Sequence, residues 1–285
     1  MSNQLLYKID GLIEGQVIKR PSLYVKSPYV SDIKIKENTN SILAHSPSLG
    51  CCGLADAGAT ILMFPSSSNS KPKNELGLQC EYTVYLSKIE NNIYVGIHPK
   101  MAEKLVKSAI EKNYMSCLKN IKSLRQETSI YIKDKVDSRF DFSGLDENGV
   151  PFIMEVKNVP LADYEDCDKK ERTKMDFSNR NFNEKVAYFP DGYRKTTYDP
   201  VSPRALKHIQ ELTYLKKEEP KFRCIMCYVI QRTDVNRFQA SVIDPQYRKA
   251  FYEAHDAGVE IITMVVKWTP DGSAYFVCDD LPISY

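Results

Sequence analysis

The first part of the chain alternates short apolar runs with turn residues. Between residues 1 and 88, runs with a period of two are separated by Pro, Gly, Ser and Asn, which is typical of strands joined by turns. Four runs carry this pattern, at 12–20, 22–27, 60–66 and 80–89. No helical period interrupts them, so the pattern favours a small barrel or sandwich. We predict an all-β domain over residues 1–88.

From residue 99 the hydrophobic period changes. Apolar residues recur at helical spacing between Met101 and Ile110, with lysines on the other side. Further on, Asp244-Pro245 provides a helix cap with proline at the first helical position, and Gly258 is suited to end that helix. The remaining segments alternate between strand and helix: strands at 129–132, 138–142 and 151–159, a helix at 203–215, a strand at 223–231, a helix at 245–257, and strands at 260–268 and 274–278. This alternation predicts an α/β domain over residues 89–285.

Composition narrows the class of protein. A hydrophobic fraction of 42% and a charged fraction of 27% are typical of a packed soluble chain. No apolar run approaches the roughly 20 residues that cross a bilayer, and polar residues come too early for a secretory signal. We therefore expect a cytoplasmic protein with no membrane partner. Frequent Lys, Asn, Ile and Tyr are also compatible with a nuclear or viral protein from an AT-rich genome.

Neither charge nor cysteine content indicates a partner. The net charge of +2 is almost neutral, so any nucleic-acid binding must come from local patches. Cys224 and Cys227 have CxxC spacing, but they lie in an apolar run that predicts a strand. Residues three apart on a strand point to opposite faces, so we predict two buried thiols and no zinc site.

The strongest chemical signal is Asp141 followed by Glu155 and Lys157. On strands, Phe140 and Phe142 should share the face opposite Asp141, while Glu155 and Lys157 should share one face of the later strand. A turn at 146–149 would join the two strands and bring Asp141 beside Glu155.

Two carboxylates in such proximity repel each other unless a cation lies between them. A hard ion such as Mg²⁺ takes carboxylate oxygens and polarises a phosphate, and Lys157 could orient the attacking water. Glu127, just upstream, could supply another carboxylate. The alternative is a solvated strand face on which Glu and Lys simply alternate, and the short D…ExK pattern leaves both interpretations open.

Several ordered blocks then resemble the sugar fermentation stimulation protein (SfsA) family. The resemblance covers nearly the whole chain. Its blocks are GQVIKR at 15–20, HSPSLG at 45–50, SRFDF at 138–142, EVKNVPL at 155–161, FPD at 189–191, Arg204, KH at 207–208, EL at 211–212, VIQR at 229–232, DP at 244–245, EA at 253–254 and GVE at 258–260. The loop at 164–185 looks enlarged relative to the family.

This resemblance implies a fold and a site. It implies an N-terminal OB-like β-barrel followed by a PD-(D/E)XK nuclease-like mixed α/β domain. It also implies metal and catalytic positions at Glu127, Asp141 and Glu155, with Lys157 catalytic and Mg²⁺ or Mn²⁺ as cofactor. Positions facing the nucleic acid would be the following: Lys19, Arg20, Arg139, Arg204, Lys207 and His208.

Three functional hypotheses follow. The first is a DNA-binding, divalent-metal-dependent endonuclease that hydrolyses phosphodiester bonds, with RNA as an open alternative substrate. The second is a catalytically weak DNA-binding or regulatory protein that acts on sugar-utilisation genes, as the resemblance suggests. The third is a protein-interaction module that uses the charged loop at 164–185. A monomer and a homodimer are both open.

Overall fold

A computed structural model describes residues 4–35, 41–48, 53–66, 79–190 and 199–285. Parts of two blocks of the resemblance, residues 49–50 and residue 191, lie outside these ranges. The strands are β1 (Gln4–Lys8), β2 (Ile13–Lys19), β3 (Val30–Lys34), β4 (Ile42–His45), β5 (Thr60–Pro65), β6 (Tyr82–Ile89), β7 (Ile93–Gly96), β8 (Ser123–Ile132), β9 (Val136–Leu145), β10 (Pro151–Val159), β11 (Ala162–Asp163), β12 (Lys185–Phe189), β13 (Arg223–Ile230), β14 (Val235–Ala240), β15 (Glu260–Trp268) and β16 (Ser273–Cys278). The helices are α1 (Pro99–Glu111), α2 (Lys169–Arg172), α3 (Pro203–Glu218) and α4 (Pro245–Asp256), with 3₁₀ turns at Glu90–Asn92 and Phe182–Glu184.

One mixed sheet runs through most of the described chain. Its strands follow the order β4-β3-β2-β5-β6-β7-β15-β13-β10-β9-β8, and β1 joins through β16. A second sheet has the order β11-β12-β14. The first strand thus pairs with the last one, across the predicted division at residue 88, and that division stays a prediction. The mixed α/β class, dominated by sheet, is confirmed.

Five strands of the N-terminal part pair in a closed circuit. Strand β2 pairs with β3 and β5, β3 with β4, and β5 with β6, all antiparallel. The parallel pairing of β4 with β6 closes the circuit. This circuit is the observation on which an OB-like assignment depends.

The predicted strand at 22–27 is wrong. The side chain of Asp32 accepts from the backbone of Leu23 at 2.8 Å, and the Ser22 hydroxyl accepts from the backbone of Tyr24 at 3.1 Å. Backbone donors that a strand would pair with a neighbour are satisfied here by short polar side chains, which favours a loop.

Strand β10 is central because both of its faces are covered. Phe152 and Met154 pack in the core against α1, whereas Ile153 packs in the core against α3 and α4. Buried Cys224 and Cys227 fall in these two cores separately, so the prediction of two thiols on opposite faces is confirmed.

One face assignment on β9 is wrong. Phe140 and Phe142 lie in different cores and not on one face. The pairing of β8 with β9 skips the position of Glu127 and Asp141, and Glu127 has a φ of 54°. The register of β8 with β9 is the same on both sides of this position, and the two phenylalanines lie on either side of the point where β9 separates from β10.

The helices that flank the site begin and end as their sequences indicate. The Asp244 side chain accepts from the backbone N–H of Tyr247 at 3.0 Å, and Gly258 has a φ of 90° just after α4. The Ser202 hydroxyl caps α3 by accepting from Ala205. Within the described ranges, no helix is both long and apolar enough to cross a membrane.

Candidate metal and nucleic-acid site

The site forms where β9 and β10 separate. Their antiparallel ladder runs from Leu145–Pro151 to Phe142–Met154, and the next pair in register would be Asp141 and Glu155. At that step the backbone N–H of Val156 donates to the Asp141 carboxylate at 2.7 Å. A side chain therefore takes the place of a main-chain partner, and the strands diverge around the two acids. The structure thus brings Asp141 and Glu155 together, as their spacing predicted.

Glu155 is buried and asymmetrically partnered. Its Oε1 atom accepts from Lys157 Nζ at 2.5 Å and is also hydrogen-bonded to His208 Nδ1. Its Oε2 atom is buried with no hydrogen-bond partner among the described residues. Burial raises the pKa of this carboxyl, but the bond to His208 and the charge of Lys157 outweigh burial, so the pKa is lowered overall. Glu155 is thus held as a carboxylate with one free oxygen.

Asp141 experiences the opposite balance. Burial and the neighbouring charge of Glu155 raise its pKa to about 7. The hydrogen bond from Val156 and the charge of Lys157 oppose this rise in the pKa. Two neighbouring buried carboxyls repel each other when both are ionised. Such a pair therefore favours a bound cation.

Glu103 is a third acid at the site, and the sequence did not single it out. It lies on α1, and its pKa is raised by burial and by the charges of Glu127 and Glu155. Sequence periodicity places it beside the apolar face of α1, where it resembles any solvated helix residue. Only the packing of α1 over β10 brings it to the carboxylates.

These side chains line a cavity of about 350 Å³. Its wall includes the three acids Glu103, Asp141 and Glu155 together with Lys157 and Arg204. The free, buried oxygen of Glu155 beside a second carboxylate suits a hard divalent cation, which prefers carboxylate oxygens and retains waters. Within the described parts of the chain, no group of three His, Cys, Asp or Glu side chains stands ready to hold a metal ion. The residues fit a site in which water would supply the remaining ligands.

Glu127 and Arg139 lie apart from the cavity wall. Glu127 sits opposite Asp141 in register, but its side chain is 61% exposed and pairs with Arg139 at 3.3 Å. The proposed roles of Glu127 as a ligand and of Arg139 as a phosphate contact stay predictions.

The basic positions on α3 divide into two kinds. Arg204 and Lys207 are exposed, and Arg204 lines the cavity. His208 is only 3% exposed, which differs from the exposed polar face expected for it. The turn of α3 that buries Ile209 also directs His208 towards Glu155. The contact that His208 makes in the structure is therefore one that orients the Glu155 carboxylate.

Lys19, at the end of β2, and Arg20, which follows it, differ in how far their side chains are engaged within the protein. Lys19 is exposed at the end of β2. Arg20 donates to the carbonyls of Pro28 at 2.8 Å and Ser48 at 2.7 Å. Its donors are thus engaged within the protein, and Lys19 is the freer of the two for a phosphate.

A pH dependence of stability follows from Asp141. Its pKa is near 7 when folded and near 3.8 when unfolded, so the folded chain binds the extra proton. Metal-free protein should therefore lose stability as pH rises from 4 to 8, by on the order of 2–4 kcal/mol from this group. We expect Asp141→Asn to remove that loss. Urea unfolding in EDTA at both pH values measures it, and an Asn variant that gains nothing at pH 8 would contradict it.

Comparison with known proteins gives consistent matches. The family described as "Sugar fermentation stimulation protein RE domain" matches residues 100–272. A sugar fermentation stimulation protein homolog from Jannaschia sp. is 33% identical over 86% of each chain, and one from Crocosphaera subtropica is 31% identical over 99% of each. The solved structure of Pyrococcus furiosus SfsA in complex with Ca²⁺ superposes with a TM-score of 0.73 over 99% of each chain at 18% identity, which supports the fold.

Proposed function

The chain belongs to the sugar fermentation stimulation protein (SfsA) family, and on that premise we propose that it is a DNA-binding, divalent-metal-dependent phosphodiester hydrolase. The observation that carries the proposal is the free, buried Oε2 of Glu155 beside Asp141 at the point where β9 and β10 separate. A buried carboxylate oxygen without a partner is uncommon in folded proteins, and a bound ion or water is one explanation for it.

The proposal also includes the fold of each of the two parts of the chain. The closed circuit of β2 to β6 supports an OB-like N-terminal unit. The order α1, β8, β9, β10, α3, β13, with acids on β9 and β10 and a lysine two residues later, supports a PD-(D/E)XK nuclease-like C-terminal part.

Asp141 and Glu155 would hold the metal, with Glu103 on the facing helix and Glu127 as a further candidate. When bound, Mg²⁺ or Mn²⁺ would supply Lewis-acid stabilisation of the phosphate and lower the pKa of a water. The Pyrococcus furiosus SfsA structure is a complex with Ca²⁺, a cation that binds the same class of oxygen ligands.

The remaining residues have separate tasks. His208 fixes the orientation of Glu155 through Oε1, which leaves Oε2 free. Lys157 places an ammonium group on the cavity wall, where it would orient the attacking water or offset charge that develops on the phosphate. Arg204, exposed at the same wall, would bind a phosphate oxygen of the strand.

Cleavage of plasmid DNA tests the proposal. Supercoiled plasmid and a short oligonucleotide are incubated with the protein in Mg²⁺, in Mn²⁺ and in EDTA. We expect nicking with a metal and none in EDTA, and we expect Asp141→Asn to abolish it. Asp137→Asn is the matched control, because Asp137 lies exposed on the same strand outside the cavity. Binding without cleavage in either metal would reject the hydrolase and leave the regulatory DNA-binding alternative.

A further inference from the structure

One neutral side chain in the wall of the carboxylate cavity has a fixed orientation. It is that of Asn158, which directly follows Lys157 on β10. Successive residues of a strand point to opposite faces, so Lys157 and Asn158 extend from opposite faces of β10. Both line the cavity, because β9 leaves β10 beyond the pair of Phe142 with Met154. The two side chains therefore flank the opening between the strands.

A buried chain of hydrogen bonds sets the orientation of Asn158. The indole N–H of Trp268 donates to Gln231 Oε1 at 2.8 Å, and Gln231 Nε2 donates to Asn158 Oδ1 at 2.6 Å. An indole N–H can only donate, so it determines which end of the Gln231 amide faces it. That choice in turn determines the orientation of Asn158, whose oxygen must face the NH2 group of Gln231.

The surroundings of Gln231 hold this chain of hydrogen bonds in place. Gln231 is fully buried just after β13, and its backbone oxygen accepts from the N–H of Gly96 at 3.0 Å. A Cβ atom at position 96 would lie 2.0 Å from Gln231 Oε1 and 2.6 Å from Trp268 Nε1, so only glycine leaves room for the pair. Neither amide can turn over without the loss of a buried hydrogen bond, which is costly.

The orientation determines what Asn158 offers to the cavity. Its Oδ1 atom, the kind of oxygen that a hard cation takes, is directed at Gln231, which is not part of the cavity wall. Within the described ranges, the hydrogen bond from Gln231 is the only one that the Asn158 side chain forms. The Nδ2 group, with two N–H donors and no capacity to bind a metal, is the end that remains for the cavity.

We propose that Asn158 donates through Nδ2 to a non-bridging oxygen of the phosphate bound in the carboxylate cavity, with Gln231 as its positioning residue. The inference rests on the proposed function, since it assumes a nucleic-acid strand in that cavity. Lys157 and Arg204 supply positive charge to the same wall, and a phosphate has acceptor oxygens on several sides. Asparagine side chains are common donors to phosphate oxygens, and this one does not compete for the cation.

The affinity of a short fluorescent oligothymidylate, measured by anisotropy in Ca²⁺, tests the contact. We expect Asn158→Ala to weaken binding about tenfold, as for a lost hydrogen bond to a charged group, with an unchanged salt slope because the lost side chain is neutral. Oligoadenylate should lose as much affinity, because a phosphate contact does not read sequence.

Asn148→Ala is the matched control, since Asn148 is exposed in the turn at the far end of the β9–β10 hairpin. Its affinity for both oligonucleotides should equal that of the wild type. Wild-type affinity in Asn158→Ala, or a loss confined to one of the two oligonucleotides, would overturn the inference.

A double-mutant cycle tests whether Gln231 acts through Asn158. Gln231→Met alone should weaken the binding of the oligonucleotide, and it should cost no further affinity in a protein that already carries Asn158→Ala. An equal loss in both backgrounds would overturn the positioning role, because it would show an effect independent of Asn158. Thermal unfolding of each variant confirms that it is folded at the temperature of the assay, and Asn158→Ala tests the phosphate contact without Gln231→Met.

Metal binding and cleavage separate this inference from the proposed function. Binding of Mn²⁺ without nucleic acid, followed by electron paramagnetic resonance, should be the same in Asn158→Ala as in the wild type. Weaker Mn²⁺ binding would make Asn158 a metal ligand and overturn the inference. If Asn158→Ala weakens oligonucleotide binding but plasmid is never cleaved in metal, the phosphate contact stands and the hydrolase fails. If plasmid is cleaved and Asn158→Ala binds normally, the phosphate contact alone fails.

Discussion

Replacing Lys157 with alanine is expected to lower metal-dependent cleavage by roughly 10²–10⁴-fold, the usual contribution of a positioned proton-transfer or charge-stabilising group. The ammonium group lies 2.5 Å from Glu155 Oε1 and 3.5 Å from His208 Nδ1, on the wall of the carboxylate cavity. It is therefore placed where charge would develop on the phosphate. Single-turnover cleavage of a labelled oligonucleotide measures the rate.

The same variant should keep most of its affinity for nucleic acid. Lys157 is one cation among several near the strand, so in EDTA its loss should remove little of the binding. Lys133→Ala is the matched control, because Lys133 is an exposed lysine in the turn between β8 and β9. A Lys157→Ala protein that cleaves at the wild-type rate would contradict the assigned role, and one that binds tenfold more weakly would make Lys157 a phosphate contact.

Replacing Asp234 with alanine is expected to give the largest loss of stability. Its carboxylate is fully buried and accepts from Arg232 Nε and NH2, both at 2.7 Å, and from Lys185 Nζ at 2.8 Å. Burial alone would raise the pKa of Asp234, yet these two cations lower it. Removing the carboxylate leaves two largely buried cations without a counter-charge, which costs about 3–5 kcal/mol.

Thermal unfolding measures this loss. For a chain of this length it corresponds to a fall in the melting temperature of roughly 10 °C. Asp256→Ala is the control, since Asp256 is 82% exposed in its pair with His255 and its loss should change little. A melting temperature of Asp234→Ala within about 2 °C of wild type would show that the buried cluster contributes far less than this.

The loss of folding stability that we expect from the proposed chemistry is confined to the carboxylate cavity. Asp141 raises the free energy of the metal-free fold above pH 7 because it must ionise beside Glu155. The Asp234 cluster shows the opposite arrangement, in which each buried charge has a partner. A destabilised acid pair in a fold that elsewhere gives its buried charges partners is typical of a functional site, where stability is lower for the sake of activity.

Local sequence determined most of the elements in the second part of the chain. Helix α4 follows from Asp244, Pro245 and Gly258, because caps and turn residues act over a few positions. The hairpin of β9 and β10 follows from alternation and from the turn at 146–149. Short-range signals of this kind can be recognised in a single sequence because they do not depend on distant residues.

The sequence also placed the two central acids. Asp141 and Glu155 meet because antiparallel pairing fixes their register, and register is readable once the turn is known. Cys224 and Cys227 separate into two cores for the same reason, since side chains alternate across a strand.

What only the tertiary structure decided is the surrounding of those acids. Glu103 reaches the cavity because α1 packs over β10, and His208 turns inward because α3 buries Ile209 against the sheet. The engaged donors of Arg20 follow from a contact with Ser48, in a separate segment of the chain. Such contacts depend on how whole elements pack, and a single sequence carries no local signal for them. The sequence by itself therefore identified the two central acids, while the packing of the helices determined which residues surround them.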